Sequence, residues 1–285
     1  QLGTIIAAVF IIFYTMLAGL VSVAYTDVAN GIIIITSFII AIPIFFIKAG
    51  GLEGMAISFA EMDKNSHMNF WGVYSLMDVI NFCLPSFLLI MGDANMYQRF
   101  FASKDAKGAK SATKTLIIAV AIAELMIIVA AWIASSMIPD AEVGKYVLIY
   151  ASHEFLPPFI GAVMMTTIVG IIISTADSYL LVPTTTLMRD IYLNYFDKDA
   201  NQKKIVFLSR VLVVVLGIIA YIVSLGFAKS AGFFERALYA YTIYGAAITP
   251  SLVAALFWKE ATKEGAITSI FVGTITTLLW KESLF

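Results

Sequence analysis

Eight apolar runs, joined by short connections that hold most of the charge, limit what this chain can become. They lie at residues 2–18, 21–47, 70–98, 114–138, 156–192, 204–227, 233–258 and 263–281. An α-helix needs about 20 apolar residues to cross a bilayer core, and most of the runs reach that length; the first is short, and only Gly19 and its neighbours divide it from the second. In lipid each backbone N–H and C=O must be satisfied within its own segment or closed sheet, so runs of this length fold as helices. Of all residues 61% are hydrophobic and 13% charged, where soluble domains have roughly 45–50% and 25%. The expected fold class is therefore an all-α membrane protein, one transmembrane domain over residues 1–285. Its first partner is the lipid bilayer. A net charge of −1 gives nucleic acid nothing to hold. The lone cysteine, Cys83, excludes a disulfide framework. The chain starts at Gln1 without a signal-peptide pattern and stops just after an apolar run, so a piece of a longer protein is expected.

Charge in the connections orients the bundle. Arg99, Lys104, Lys107, Lys110, Lys114, Arg189, Lys198, Lys203, Lys204, Arg210, Lys259 and Lys263 fall on one side. Lys48, Lys64, Lys145, Lys229 and Arg236 fall on the other. Twelve against five is a positive-inside bias. It places loops 99–114, 189–210 and 258–264 in the cytoplasm of a cell that carries the protein in its plasma (inner) membrane. The fifth run then travels inward. Residues 141–156 are expected to form a short outer helix.

Residues 170–192, GIIISTADSYLLVPTTTLMRDIY, stand out within these runs. At helical spacing Ser174, Asp177 and Ser178 share a face, with Thr175 beside them. A carboxylate at a membrane helix centre costs about 2.5–3.5 kcal/mol on insertion scales, so it needs a partner, a cation or a proton. Hydroxyl, carbonyl and carboxylate oxygens are the hard ligands a small hard cation accepts. Asp27, near the start of the second run, lies at a similar depth. Asp78 and Glu124 are two further acids within the runs, with no role assigned. Pro85-Ser86 and Gly92-Asp93 interrupt the third run, and Pro157-Pro158 and Pro183 mark the fifth. Broken helices are where transporters place substrates, because unwound backbone offers carbonyls and amides. No nucleophile elbow or phosphate-binding glycine loop is present, and Cys83 has no nearby histidine, so an enzyme is not expected. Without a nucleotide site, transport would draw on an ion gradient.

Four segments resemble one family, the sodium/solute symporters, which carry proline, sugars, sialic acid or pantothenate. ISTADSYLL followed by RDIY at 189–192 resembles its eighth core helix. YTMLAGLVSVAYTD at 14–27 is similar to the pattern YT-x-x-GG-x-x-AV-x-x-TD at the fourth-to-fifth helix junction, with Ala18 for the first glycine. MYQRFFASKDAKGAK at 96–110 and WKEATKEGAITSIFVG at 258–273 resemble the segments after the sixth and tenth core helices. The resemblance implies a bundle of two inverted five-helix repeats. This chain would then hold the end of the first repeat, the complete second and one further helix, without the first three core helices.

The family's principal sodium site, split between its first and eighth helices, would take the Ile171 carbonyl and the hydroxyls of Ser174 and Thr175. A second sodium site in some members would use Asp27 with Ser174, Asp177 and Ser178, where a hydroxyl often stands in place of Asp177. Position relative to Gln98-Arg99 puts Ser86 and Asp93 forward as substrate contacts. The expected function is sodium-coupled symport of a small polar organic solute by alternating access, with sodium as the coupling ion. Two alternatives stay open: a membrane-embedded sensor domain of a signalling protein, and a proton-coupled carrier using Asp177 or Asp27. The solute, the stoichiometry and the oligomeric state have no signature here.

Overall fold

The computed structural model describes residues 2–139, 144, 146–227 and 233–284, and among these no strand occurs. Among the described residues, seven helices are long and apolar enough to cross a membrane: Leu2–Gly19, Ser22–Lys48, Leu76–Phe101, Ala106–Ser135, Pro158–Phe196, Gln202–Gly226 and Ala237–Phe257. The eighth expected span, 263–281, is the helix Lys263–Leu284 but does not join the seven. Its charged ends and recurrent threonines dilute the apolar content. Contacts sort the chain into two compact units, Gln1–Gly72 with Ser103–Val223, and Val73–Ala102 with Ser224–Phe285.

The first unit opens with α1 (Leu2–Lys48), which is broken at Gly19 by a positive φ of 69°. Glycine pays no steric cost there, because it has no Cβ. Two more positive-φ glycines, Gly50 and Gly51, turn the chain into α2 (Gly51–Glu61). α5 (Ala106–Ser135) starts eight residues before the expected run, because Asp105 caps it by accepting the Gly108 N–H at 2.6 Å. Lysine and alanine are strong helix formers, so its first turns need no apolar face. Of the expected outer helix, Val147–Glu154 is helical and is named α6; residues 141–143 and 145 lie outside the described residues. α7 (Pro158–Thr186) continues as a π-helical segment, Leu187–Phe196. Pro183 lacks the N–H that would close a helical bond, and Thr184 and Thr185 donate back to Leu180 and Leu181, each at 2.8 Å. α8 (Gln202–Phe227) completes this unit up to Val223.

The core of the unit joins Phe38, Ala41 and Phe45 of α1 to Met55 and Phe59 of α2, Ala130, Ile133 and Ala134 of α5, and Ala151 of α6. Small residues let helix backbones approach where lipid gives no hydrophobic drive to associate. Gly161 is one such close approach: an added Cβ would collide with the Ser152 carbonyl.

The second unit contains α3 (Leu76–Gly92), α4 (Ala94–Phe101), α9 (Phe233–Ala247), α10 (Thr249–Phe257) and α11 (Lys263–Leu284). Asp78 belongs to a capping box that starts α3. Its carboxylate accepts the Ser75 N–H at 2.8 Å, and its own N–H reaches Ser75 Oγ at 3.3 Å. The helix continues through Pro85 and stops at Gly92, where Asp93 caps α4 by accepting the Asn95 N–H at 2.9 Å. The expected span at 233–258 is also broken, at Ile248. Pro250 sits in the first turn of α10, where its missing N–H costs nothing. The two breaks meet: Thr249 donates to the Leu88 carbonyl at 2.6 Å, and the Tyr244 hydroxyl accepts the Ala94 N–H at 3.3 Å.

Candidate cation site on the α1–α7 seam

α1 and α7 run antiparallel along the second limb of α1, and three levels of contact fix their register. At the first, the hydroxyls of Ser37 and Thr167 lie 2.9 Å apart, both residues buried. At the second, Asn30 covers Gly170, where an added Cβ would lie 3.5 Å from its amide oxygen. At the third, Ser174 Oγ donates to Asp27 Oδ1 at 2.5 Å. Four α1 residues spaced three, four and seven apart (Val23, Asp27, Asn30, Ser37) thus make one face, with Val23 fully buried.

One turn on from Ser174, Asp177 is 1% exposed and Ser178 9%. Ser174, Asp177 and Ser178 share the face that the spacing predicts, and Asp27 meets it. Thr175 points elsewhere. It is exposed, and its hydroxyl donates to the Ile171 carbonyl at 2.9 Å. The six candidate ligands therefore fall into two groups. Asp27 and Ser174 meet on the seam, and Asp177 and Ser178 lie buried one turn on along α7. Ile171 and Thr175 pair with each other on the adjoining exposed edge. In the second unit Ser86 donates to the Phe82 carbonyl at 3.5 Å, and the Asp93 carboxylate is engaged in capping.

Asn30 escaped the sequence reading. Its signal was its place three residues after Asp27, one turn along the same face, with an amide oxygen as hard as a carbonyl. The seam thus offers two carboxylates, two hydroxyls and an amide oxygen within about two turns of helix. That donor set suits a small alkali cation and contains no soft ligand. Among the described residues no group of three or more His, Cys, Asp or Glu side chains is placed to hold a metal ion.

Residues 1–273 match the Sodium:solute symporter family. The chain belongs to that family. Curated relatives include the osmoregulated proline transporter OpuE of Bacillus subtilis strain 168, 26% identical over 98% of this chain and 57% of its own length. The high-affinity proline transporter PutP of the same organism is 27% identical over 96% and 58%. The sodium/proline symporter of Escherichia coli strain K12 is 26% identical over 95% and 55%. This chain thus spans little more than half the length of each. Among solved structures, a substrate-bound, outward-open Na⁺-coupled sialic acid symporter superposes with a TM-score of 0.63 at 17% identity, covering 97% of this chain and 66% of that one. Family, relatives and fold are those of membrane transporters, not enzymes.

Proposed function

We propose that this sodium:solute symporter family member carries a small polar organic solute inward with sodium, by alternating access, in the plasma membrane. The observation that carries the reading is the Ser174–Asp27 contact: a carboxylate and a hydroxyl from two different membrane helices converge inside an apolar bundle. Proline is the first solute to test, because the three relatives named above transport it. Sodium would bind the seam through Asp27, Ser174, Asp177 and Ser178, joined by Asn30. A second position would use the Ile171 carbonyl, Ser174 and Thr175. Thr175 is exposed there, which leaves that position room for further ligands. The same reading treats residues 1–285 as one transporter domain with inverted repeats, loops 99–114, 189–210 and 258–264 as cytoplasmic, and Ser86 and Asp93 as solute contacts.

The energetics suffice. One charge crossing 100 mV supplies about 2.3 kcal/mol, and a tenfold sodium gradient about 1.4 kcal/mol more. One sodium ion then supports roughly a few-hundred-fold accumulation. The test is uptake by the full-length protein in proteoliposomes, across proline, sugars, carboxylates and vitamins, with and without a sodium gradient. Sodium-dependent accumulation of one solute is expected. Uptake that follows pH and ignores sodium would replace the reading with proton coupling, and binding without flux would replace it with a sensor.

A further inference from the structure

The two limbs of α1 have different neighbours. The first lies on α8: Ile12 packs so closely over Gly217 that an added Cβ would strike it, and Thr4 reaches Tyr221 at 3.5 Å. The second lies on α7 through Ser37 and Asp27. Between the limbs sits Gly19, at φ 69° and ψ 169°. Among the described residues, its two chain neighbours and the helix's own backbone apart, no atom comes within 4 Å of where its Cβ would be. Glycine itself supplies no stiffness. A hydrogen bond crosses the bend instead. The Tyr14 hydroxyl donates to Thr26 Oγ1 at 2.8 Å. Thr26 passes its own proton to the Val23 carbonyl at 2.9 Å, which orients the acceptor lone pair towards Tyr14. Phe10 stacks on the Tyr14 ring, with centroids 6.3 Å apart. The residue after Thr26 is Asp27.

We propose that Tyr14 is a positioning residue for the cation site: through Thr26 it sets the angle of α1 at Gly19, and so the place where the Asp27 carboxylate meets Ser174. The phenol touches no proposed ligand. It works by tying the limb held on α8 to the limb held on α7, at the level of the carboxylate. Without the tie, the glycine lets the limbs swing, and the site spends part of its time with Asp27 displaced. Sodium then binds only the fraction of molecules that is correctly set, and its apparent affinity falls by that fraction. The proposal rests on Asp27 being a sodium ligand.

The experiment measures radioactive sodium binding to the purified full-length protein, which needs no knowledge of the solute. Tyr14→Phe keeps the ring and its stacking on Phe10. Thr26→Val keeps the shape and removes the acceptor. Each is expected to raise the half-saturating sodium concentration about three- to tenfold, the worth of one neutral hydrogen bond. Thr26→Ser, which keeps the hydroxyl, should bind like the parent. The double variant should shift no further than the larger single change. Unmoved half-saturation in both single variants, or shifts that multiply in the double variant, would overturn the proposal. Asp27→Asn separates the layers. If it abolishes sodium binding while Tyr14→Phe does nothing, the tie is wrong and the sodium site stands. If Asp27→Asn binds like the parent, both fall.

Discussion

Ser174→Ala removes one hydroxyl from the seam and nothing else. In the parent that hydroxyl donates to Asp27 at 2.5 Å, in a half-buried setting between two helices. Hydrogen bonds to charged acceptors contribute about 1.5–3 kcal/mol. Interhelical bonds in membranes run lower, because the separated helices find other partners. A figure of about 1–2 kcal/mol is therefore reasonable here. That figure is a helix-contact energy and shows in stability; if the oxygen also ligates sodium, the lost ligand separately raises the half-saturating sodium concentration, roughly five- to thirtyfold for a ligand worth about 1–2 kcal/mol. The assay is initial uptake in proteoliposomes across a sodium series, with protein content matched. Ser37→Ala is the control. It breaks the neighbouring Ser37–Thr167 bond on the same seam, which involves no carboxylate. It should lower thermal stability slightly and leave the sodium response alone. An unchanged sodium response in Ser174→Ala, or an equal shift in Ser37→Ala, would show that the seam is only a helix contact.

Gly161→Ala forces a Cβ into the Ser152 carbonyl of α6, and should cost about 1–3 kcal/mol by overpacking; an unchanged melting midpoint in detergent would contradict the close approach. Ser75→Ala opens the capping box at the start of α3, and should cost about 1 kcal/mol without moving half-saturation by sodium; a sodium shift would contradict the purely structural role of Asp78. After the π-helical segment, Lys204 donates to Asp197 at 2.8 Å and holds its carboxyl below the usual carboxylate range. A depressed folded value means that the pair stabilises the fold above the unfolded carboxylate range, and that this is lost as pH falls through the folded value. Asp197→Asn should therefore melt slightly lower than the parent at neutral pH, with the two converging in acid. A difference that widened as pH fell would be the wrong sign.

The membrane helices were legible because length and apolarity are local properties, and lipid leaves a chain few choices. Their ends were less so. Apolar runs do not report the charged turns that start α5 at Ala106, and they overlook Ser75, whose hydroxyl starts α3 several residues after the run at 70–98 begins. Asp78 read as an intramembrane acid with no role assigned, although Ser75-x-x-Asp78 is a capping pattern. The break at Ile248 was signalled by Pro250 and went unnoticed, because a proline in the first turn leaves the apolar pattern intact. In the site, the shared face of Ser174, Asp177 and Ser178 followed from helical spacing alone. Asp27 could be placed by depth but not in contact. Which residues of α1 face which of α7 depends on register, and register rests on close approaches such as Gly170 beneath Asn30. No local pattern encodes it. The Tyr14–Thr26 bond was invisible for the same reason, and Asn30 had only its place one turn after Asp27 to signal it.

The Ser174–Asp27 pair also bears on how an ion could be coupled to movement. A buried carboxylate without a partner is costly, so an empty cation site built from carboxylates alone would tend to collapse or stay hydrated. A serine solves this by being two things. Its hydroxyl donates to Asp27 at 2.5 Å. On the proposed sodium reading, the same hydroxyl would turn about its torsion and offer a lone pair to a cation beside that carboxylate. Such an ion would replace one hydrogen bond between the helices with a charge shared by both. A ligand shifts a conformational equilibrium only by its differential affinity for the two forms. Sodium bridging α1 to α7 has such a difference wherever movement would part Asp27 from Ser174. Hydroxyls bonded back to their own helix, such as Thr184 on Leu180, offer no such leverage, since their bonds survive any rigid movement of that helix.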